Sequence, residues 1–207
     1  TTRELADMIK QARINFLALE DEDDDSILGK YTGAGVIFGT TGGVTEAALR
    51  TIADIVTGED LQEIEYYDVR GMEGIKEATV TLPIDGKPTE IKVAVAHTTA
   101  NAAKVLDAIR RGEKNYHFIE VMACPGGCVH GGGQPHVSAK ARLEVNPKAD
   151  RANALYSEDE RQVLRKAHEN PEVKALYEEF LSTPNSHVAH KYLHTHYQKK
   201  EVYCPQE

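Results

Sequence analysis

The stretch Glu120-Val-Met-Ala-Cys-Pro-Gly-Gly-Cys-Val-His-Gly-Gly-Gly-Gln-Pro135 places Cys124 and Cys128 four residues apart around a Pro-Gly-Gly turn. Glycine adopts backbone conformations that are closed to other residues, and it lets the main chain approach a bound group closely. Cysteine thiolates are the ligands that iron–sulfur clusters require. The pattern therefore indicates an iron–sulfur site, in preference to a glycine-rich turn with two incidental thiols.

The two thiols do not complete such a site, because a cubane cluster takes four ligands. The third cysteine of the chain, Cys204, lies in the polar C-terminal tail, and nothing in the sequence brings it to the loop. A zinc site that joins the pair to His130 or His136 is an alternative. It fits zinc spacing only loosely, and no second Cys or His pair stands at a matching interval.

The segments before the cysteine loop predict an α/β fold. Tyr116 to Met122 has the pattern of a strand that leads into the loop, and Val36 to Phe38 has that of a short buried strand. The glycine-rich stretch Gly39–Gly43 follows, and then a helix from Val44 to Val56. Ligands of α/β proteins lie at the carboxyl ends of strands. We therefore expect both glycine-rich loops at one end of the same sheet.

The remaining elements are predicted from periodicity and turn residues. Ala78 to Ile84 and Ile91 to Ala96 should form a hairpin through Asp85-Gly86. A helix should follow from Thr99 to Arg111. At the start of the chain, Thr1 and Glu4 form the pattern of a capping box, which predicts a helix from Arg3 to Leu17.

The last part of the chain is polar and helical in pattern. A second capping box at Ser157 predicts a helix to Glu169, Pro171 starts another, and Asn185 to Tyr197 is a third helical stretch. We therefore expect an α/β domain over residues 1–150, with a small, largely parallel sheet and flanking helices. Residues 151–207 should form a helical belt.

Composition narrows the classes of function. The formal net charge of −9 and the lack of Lys and Arg clusters argue against nucleic acid as a partner. No apolar stretch approaches the ~18 residues of a membrane span. Three cysteines make no disulfide framework and suit a reducing compartment, which favours a cytoplasmic location. The tail histidines His187, His190, His194 and His196 match no zinc-enzyme motif and are interpreted as surface and packing residues.

Two long stretches resemble signature segments of the iron-only (FeFe) hydrogenases. Phe118 to His136 closely resembles the third signature motif of that family, and Gly33 to Arg50 is similar to the stretch that precedes it. Val93-Ala-Val-Ala-His97 and Leu193-His-Thr-His-Tyr197 also match, so the resemblance covers nearly the whole chain. It implies the reversible production of dihydrogen from protons and electrons.

The resemblance also implies a cofactor, the H-cluster, in which a cubane 4Fe–4S cluster is bridged through a cysteine to a two-iron unit. Cys124 matches a ligand of the cubane alone, and Cys128 matches the cysteine that also bridges to the two-iron unit. Met122 matches a catalytic-site residue that packs against that unit. Further residues match the lining of its pocket: Gly35, Phe38 and Val44.

The departures from the family pattern define what to expect of this chain. Two earlier motifs, each with one cubane cysteine, are absent, as are the proton-relay cysteine and the lysine that contacts cyanide. Thr45 stands where methionine is common. We therefore expect a C-terminal portion of a hydrogenase, natural or artificial, that supplies two of the four cubane cysteines. Alone, it should hold no cofactor and be inactive.

Partners and rival functions follow from the same resemblance. The implied partners are the N-terminal half of the same enzyme, ferredoxin, and subunits that oxidise NAD(P)H, since the helical tail is continuous with the cysteine motif as in cytoplasmic members. The alternatives are a relative that acts in cytosolic iron–sulfur cluster assembly, a hydrogen-sensing member, or a plain zinc or structural fragment.

Overall fold

A hairpin forms the first two strands of the sheet. The structure is a computed structural model that describes residues 1–22, 29–58, 66–84 and 86–201. Strands β1 (Ile75–Ile84) and β2 (Lys87–His97) pair antiparallel along their whole length. Gly86 has a φ of 74°, which suits a tight turn, while Asp85 lies outside the described residues. The predicted hairpin is confirmed.

The third strand joins the other edge of β2. Strand β3 (Phe118–Met122) runs parallel to β2, with Val93 opposite Phe118 and His97 opposite Met122, and the sheet order is β1-β2-β3. A parallel pair needs a crossover, which helix α4 (Thr99–Arg110) provides. The α/β class with a small sheet is confirmed. The sheet is mixed rather than largely parallel, because the hairpin contributes an antiparallel pair.

The stretch before the first glycine-rich loop is helical, so the strand predicted at Val36 to Phe38 was wrong. Thr32 caps a short helix, α2 (Gly33–Val36), by accepting a hydrogen bond from Gly35 N at 3.2 Å, and a 3₁₀ turn follows over Ile37–Gly39. Ile37 is fully buried. A short buried apolar run has no periodicity that separates a strand from a helix, which explains the error.

Helix α3 (Gly43–Thr57) follows and ends at Gly58, which has a φ of 66°. This helix and its end at Gly58 were predicted, and both are confirmed. Glycine ends helices in this way because it adopts a left-handed conformation without a steric penalty. The sheet buries apolar side chains on both faces because neighbouring residues of a strand point in opposite directions. One cluster is Leu49, Val69, Ala78, Val93 and Val95, and the other is Ala94, Ala96 and Val105.

The N-terminal helix α1 (Thr2–Gln11) has the predicted capping box between Thr1 and Glu4. It ends before the predicted Leu17, because Arg13 takes a positive φ of 57° that an α-helix cannot accommodate. A 3₁₀ turn over Phe16–Ala18 follows.

The helix predicted from Ser157 to Glu169 was wrong at both ends, because the observed helix runs from Pro147 to Arg161. After the short helix α5 (Ala141–Glu144), helix α6 (Pro147–Arg161) starts where Asn146 accepts a hydrogen bond from Ala149 N at 3.4 Å. Asn followed by Pro is an N-cap and first-turn pattern, which explains why the helix begins here. Ser157 therefore lies inside α6.

The chain divides into two compact units, residues 1–170 and 171–207. In the second unit, α7 (Pro171–Leu176) continues as a π-helical turn over Tyr177–Leu181, and α8 (His187–Leu193) is capped by Ser186. The predicted helix at Pro171 is confirmed, and the one within 185–197 is shorter than expected. A boundary at residue 150 and a belt around the body stay predictions. Among the described helices, none has the length and apolar character to cross a bilayer.

Candidate metal centre

The cysteine loop begins where β3 ends. Gly127 N donates to Cys124 O at 3.0 Å, and Gly131 N donates to Cys128 O at 3.0 Å, so each cysteine opens its own tight turn. Both thiols are free, with Cys124 half-buried and Cys128 exposed. A Cβ added to Gly131 would lie 3.8 Å from Cys124 Sγ. The Cys124 sulfur therefore lies beside the backbone that follows Cys128.

Gly127 is held where no other residue fits. Its φ is 95°, and a Cβ at this position would lie 2.8 Å from Thr41 N, 2.9 Å from Gly39 O and 2.9 Å from Met122 Sδ. Two of these three atoms belong to the backbone, which cannot move aside as a flexible side chain could. The turn between the cysteines is thus pressed against the first glycine-rich loop.

The two glycine-rich loops are joined by a backbone hydrogen bond. Thr41 N donates to Gly126 O at 3.1 Å. The two loops were predicted at one end of the same sheet. Their proximity is confirmed, but the first loop follows a helical turn and not a strand of the sheet. This contact makes the segment from Gly39 to Gly43 one wall of the cysteine loop.

Glu120 connects β3 to the start of α3, and the sequence analysis did not identify it. One carboxylate oxygen accepts from Gly42 N at 2.7 Å, and the other accepts from Thr45 N and Thr45 Oγ1 at 2.8 Å each. A carboxylate at a helix N-terminus satisfies backbone N–H groups that have no partner within the helix. The hydroxyl of Thr45, unexplained by the family pattern, completes this arrangement. The feature of the sequence that could have identified Glu120 is an acidic residue inside an otherwise apolar strand.

Lys76 lies on the opposite side of the same loop, and the sequence analysis missed it too. Its Nζ donates to Thr41 O at 2.9 Å and to Gly71 O at 3.0 Å, and the residue is 5% exposed. Burial lowers the pKa of Lys76 to about 8, against the opposing effect of Glu120 and Glu73. The loop is therefore held between a buried cation and a buried anion.

Basic side chains surround the cysteine loop, although the chain as a whole is acidic. Arg151 donates to Val129 O at 3.0 Å and to Pro135 O at 2.9 Å. Burial, and then the charges of Lys148, Arg151 and Arg142, lower the pKa of His130. We call Lys76, Arg142, Lys148 and Arg151 the basic collar. Such a collar suits a negatively charged group in the loop.

Three buried polar atoms near the loop have no hydrogen-bond partner among the described residues: Thr41 Oγ1, His97 Nδ1 and His130 Nδ1. Buried polar atoms are normally paired, so each unpaired atom requires an explanation. Burial, followed by the charges of Lys76 and Lys148, lowers the pKa of His97, which favours the neutral ring with one N–H to donate. Thiolates and cluster sulfides are acceptors for such donors. The donors, the basic collar and the two thiols together fit an anionic iron–sulfur cluster.

The remaining residues predicted for the site lie on the elements around the first glycine-rich loop. Gly35 is exposed on α2, Phe38 is 45% exposed in the 3₁₀ turn, and Val44 is half-buried in the first turn of α3. Met122 is half-buried and lies against Gly127. The structure thus brings Met122 to the cysteine turn. The roles of all four residues as a cofactor pocket stay predictions.

Neither zinc alternative gains a third ligand. Across residues 1–22, 29–58, 66–84 and 86–201, only one group of three metal-ligating side chains comes within 4.8 Å, and it is Asp54, His168 and Glu169. His136 is instead in contact with Arg3. Cys204 lies outside the described residues. In the tail, His190 and His194 have ring centroids 4.4 Å apart but form only a pair.

Comparison with known families gives two matches that divide the chain. Residues 1–132 match the family described as iron only hydrogenase large subunit, C-terminal domain. Residues 145–200 match the family described as iron hydrogenase small subunit. The cysteine loop lies in the first match, and α6 and α8 lie in the second.

Individual relatives agree with these matches. Iron hydrogenase 1 of Clostridium pasteurianum is 48% identical over 96% of this chain and 34% of its own length. The NADP-reducing hydrogenase subunit HndD of Solidesulfovibrio fructosivorans is 48% identical over 97% of this chain and 33% of its own length. The chain therefore spans about a third of the length of these curated relatives.

Solved structures show the same likeness. A variant of the FeFe-hydrogenase HydA1 from Chlamydomonas reinhardtii has a TM-score of 0.72 and 40% identity, covering 94% of this chain and 53% of that chain.

Proteins of iron–sulfur cluster assembly are less similar in sequence. Cytosolic iron-sulfur assembly component 3 of Mus musculus is 30% identical over 97% of this chain and 41% of its own length.

Proposed function

Because this chain belongs to the iron-only (FeFe) hydrogenase family, we propose that it forms part of an enzyme that reversibly reduces protons to dihydrogen. In this proposal Cys124 and Cys128 would be two of the four cubane ligands, and Cys128 would also connect the cubane to the two-iron unit. The bound H-cluster supplies the redox chemistry that joins protons and electrons. The protein supplies ligands, a pocket and a path for electrons.

The observation that carries the proposal is the close packing of Gly127 against Thr41, Gly39 and Met122. It places the turn between the cysteines on a rigid backbone wall, and such rigidity keeps metal ligands in position. A plain structural turn needs no such wall and no collar of basic side chains.

The side chains of the site have separate tasks in this proposal. The basic collar offsets the negative charge of thiolates and cluster, which otherwise disfavours burial of the group. The unpartnered Thr41 hydroxyl and the His97 and His130 rings offer hydrogen-bond donors to it. Met122 would pack against the two-iron unit, and Gly35, Phe38 and Val44 would line a pocket that excludes water around it.

The other two cubane ligands would come from the N-terminal half of the same enzyme. Ferredoxin, and subunits that oxidise NAD(P)H, are the proposed electron partners, and the cytoplasm is the proposed location. The chain by itself is proposed to be inactive, because two thiolates leave iron positions of a cubane without protein ligands.

The test compares the chain alone with the chain joined to the N-terminal half of a related hydrogenase. Both are purified anaerobically and reconstituted, and iron per chain and hydrogen evolution from reduced methyl viologen are measured. The joined protein should bind the cluster and evolve hydrogen, and the chain alone should do neither. Cys128→Ala in the joined protein should abolish evolution, while Cys204→Ala should leave it unchanged. A chain that binds a stoichiometric cubane and evolves hydrogen alone would refute its proposed inactivity.

The second candidate function is cytosolic iron–sulfur cluster assembly, supported by relatives of that name at lower identity. A joined protein that binds its cluster, evolves no hydrogen and restores a strain lacking the assembly component would favour this candidate. Cluster-dependent hydrogen evolution would favour the hydrogenase.

A further inference from the structure

We propose that Lys76 is a positioning residue for the cysteine loop. Its buried ammonium fixes the backbone at Thr41 against Gly126, and its positive charge raises the reduction potential of the cluster bound in the loop. The second part rests on the proposed function, and the first part does not.

The mechanical part follows from a chain of hydrogen bonds. The ammonium of Lys76 donates to Thr41 O at 2.9 Å and to Gly71 O at 3.0 Å. The other side of the same residue, Thr41 N, donates to Gly126 O at 3.1 Å. Lys76 and Thr41 thus connect the segment at Gly71 to the turn between the cysteines. A charged donor makes stronger hydrogen bonds than a neutral one, which suits this bracing role.

The position of the ammonium is tightly defined. A Cβ added to Gly42 would lie 1.9 Å from Val69 O and 3.2 Å from Lys76 Nζ, so the ammonium lies next to a position that only glycine can occupy. On the far side of this turn, Glu120 accepts hydrogen bonds from Gly42 N and Thr45 N. The turn is therefore braced from both sides, and removing Lys76 frees one of them.

The electrostatic part follows from burial and from the reach of the charge. Few water molecules screen a side chain that is 5% exposed, so its charge acts over longer distances than a surface charge. This charge is the second cause, after burial, of the lowered pKa of His97. His97 lies opposite Met122 in the sheet. The acids that face Lys76 are Glu120 and Glu73. A positive charge close to a cluster favours its reduced, more negative form.

Three variants separate the two parts. Lys76→Met removes the hydrogen bonds and the charge, Lys76→Gln retains an N–H donor without the charge, and Lys76→Arg retains the charge. The matched control is Lys104→Met, because Lys104 is exposed on α4. All are compared with the unmodified chain by hydrogen–deuterium exchange without cluster, and by potentiometric titration of the cubane in the joined protein.

Without cluster, Lys76→Met should increase exchange several-fold in segments 39–43 and 124–131, while α4 stays protected and Lys104→Met changes nothing. In the joined protein, Lys76→Met and Lys76→Gln should shift the cubane potential to more negative values, and Lys76→Arg should retain it. Equal exchange in Lys76→Met and Lys104→Met would overturn the positioning role. An unchanged potential in Lys76→Gln would overturn the electrostatic role. A joined protein that binds no cubane would instead count against the proposed function, since the exchange result needs no cluster.

Discussion

Arg50 and Asp159 form a two-point salt bridge inside the protein, with Nη1 to Oδ1 and Nη2 to Oδ2 both at 2.8 Å and neither side chain exposed. Arg50 also donates to Glu46 at 2.6 Å, and Arg165 donates to Asp159 at 2.7 Å. The bridge joins α3, in the part that matches the large subunit, to α6, in the part that matches the small subunit. The two parts are thus held together by buried charge.

Asp159→Asn should therefore destabilise the chain by about 3–5 kcal/mol, because it leaves the buried Arg50 without its main partner. Urea denaturation measures the change. Glu160→Gln, at the exposed neighbouring position, should cost less than about 0.5 kcal/mol. The double change Arg50→Met with Asp159→Leu should recover much of the loss, since apolar side chains can replace a buried ion pair. If Asp159→Asn lowered the free energy of unfolding by less than Glu160→Gln, the importance of the buried salt bridge would be contradicted.

The stability of the chain should depend on pH through Lys76. Its pKa falls from 10.5 in the unfolded chain to about 8 in the folded protein, so the folded state binds fewer protons between these two values. The contribution of Lys76 to the free energy of unfolding therefore rises between about pH 8 and pH 10.5, by about 3 kcal/mol in total. Below about pH 8, the full cost of the buried charge is present.

The measurement is the difference in unfolding free energy between the unmodified chain and Lys76→Met at about pH 7 and about pH 10. The difference should move in favour of the unmodified chain as the pH rises. Lys104→Met should show no such trend. A difference that stays constant or falls would show that the pKa of Lys76 is not lowered in the folded protein.

Gly127→Ala should disrupt the cysteine loop. The added Cβ would meet backbone atoms of Thr41 and Gly39 at 2.8–2.9 Å, and the φ of 95° disfavours alanine. The expected cost is about 1–3 kcal/mol, together with loss of iron binding in the joined protein. Gly132→Ala is the matched control, because a Cβ at Gly132 meets nothing within 4 Å. Thermal unfolding and iron content measure both effects, and equal behaviour of the two variants would disprove the tight packing.

Glu120→Gln should loosen the start of α3. The amide can accept from one side only and turns its NH₂ towards an N–H donor, so the change should cost about 1–3 kcal/mol. Glu90→Gln, at an exposed site on β2, is the control. Hydrogen exchange of Gly42 and Thr45 amides reports the effect directly. Retained protection at both amides would rule out Glu120 as the cap.

Local sequence determined much of this protein. The long motifs identified the family, which the comparisons confirm. The spacing of Cys124 and Cys128 around Pro-Gly-Gly predicts a metal site, which stays a proposal. The hairpin, the capping box at Thr1 and the glycine stop at Gly58 were also predicted correctly. Each of these features depends on neighbours within a few residues, so the local pattern carries the information.

Tertiary structure decided the rest. The helical form of residues 33–39 and the start of α6 depend on packing and capping that periodicity alone does not resolve. The contacts that brace the site join residues far apart in the chain: Glu120 to Gly42, Lys76 to Thr41, and Asp159 to Arg50. A buried charge is stable only beside its partner, and only the fold determines which partner that is.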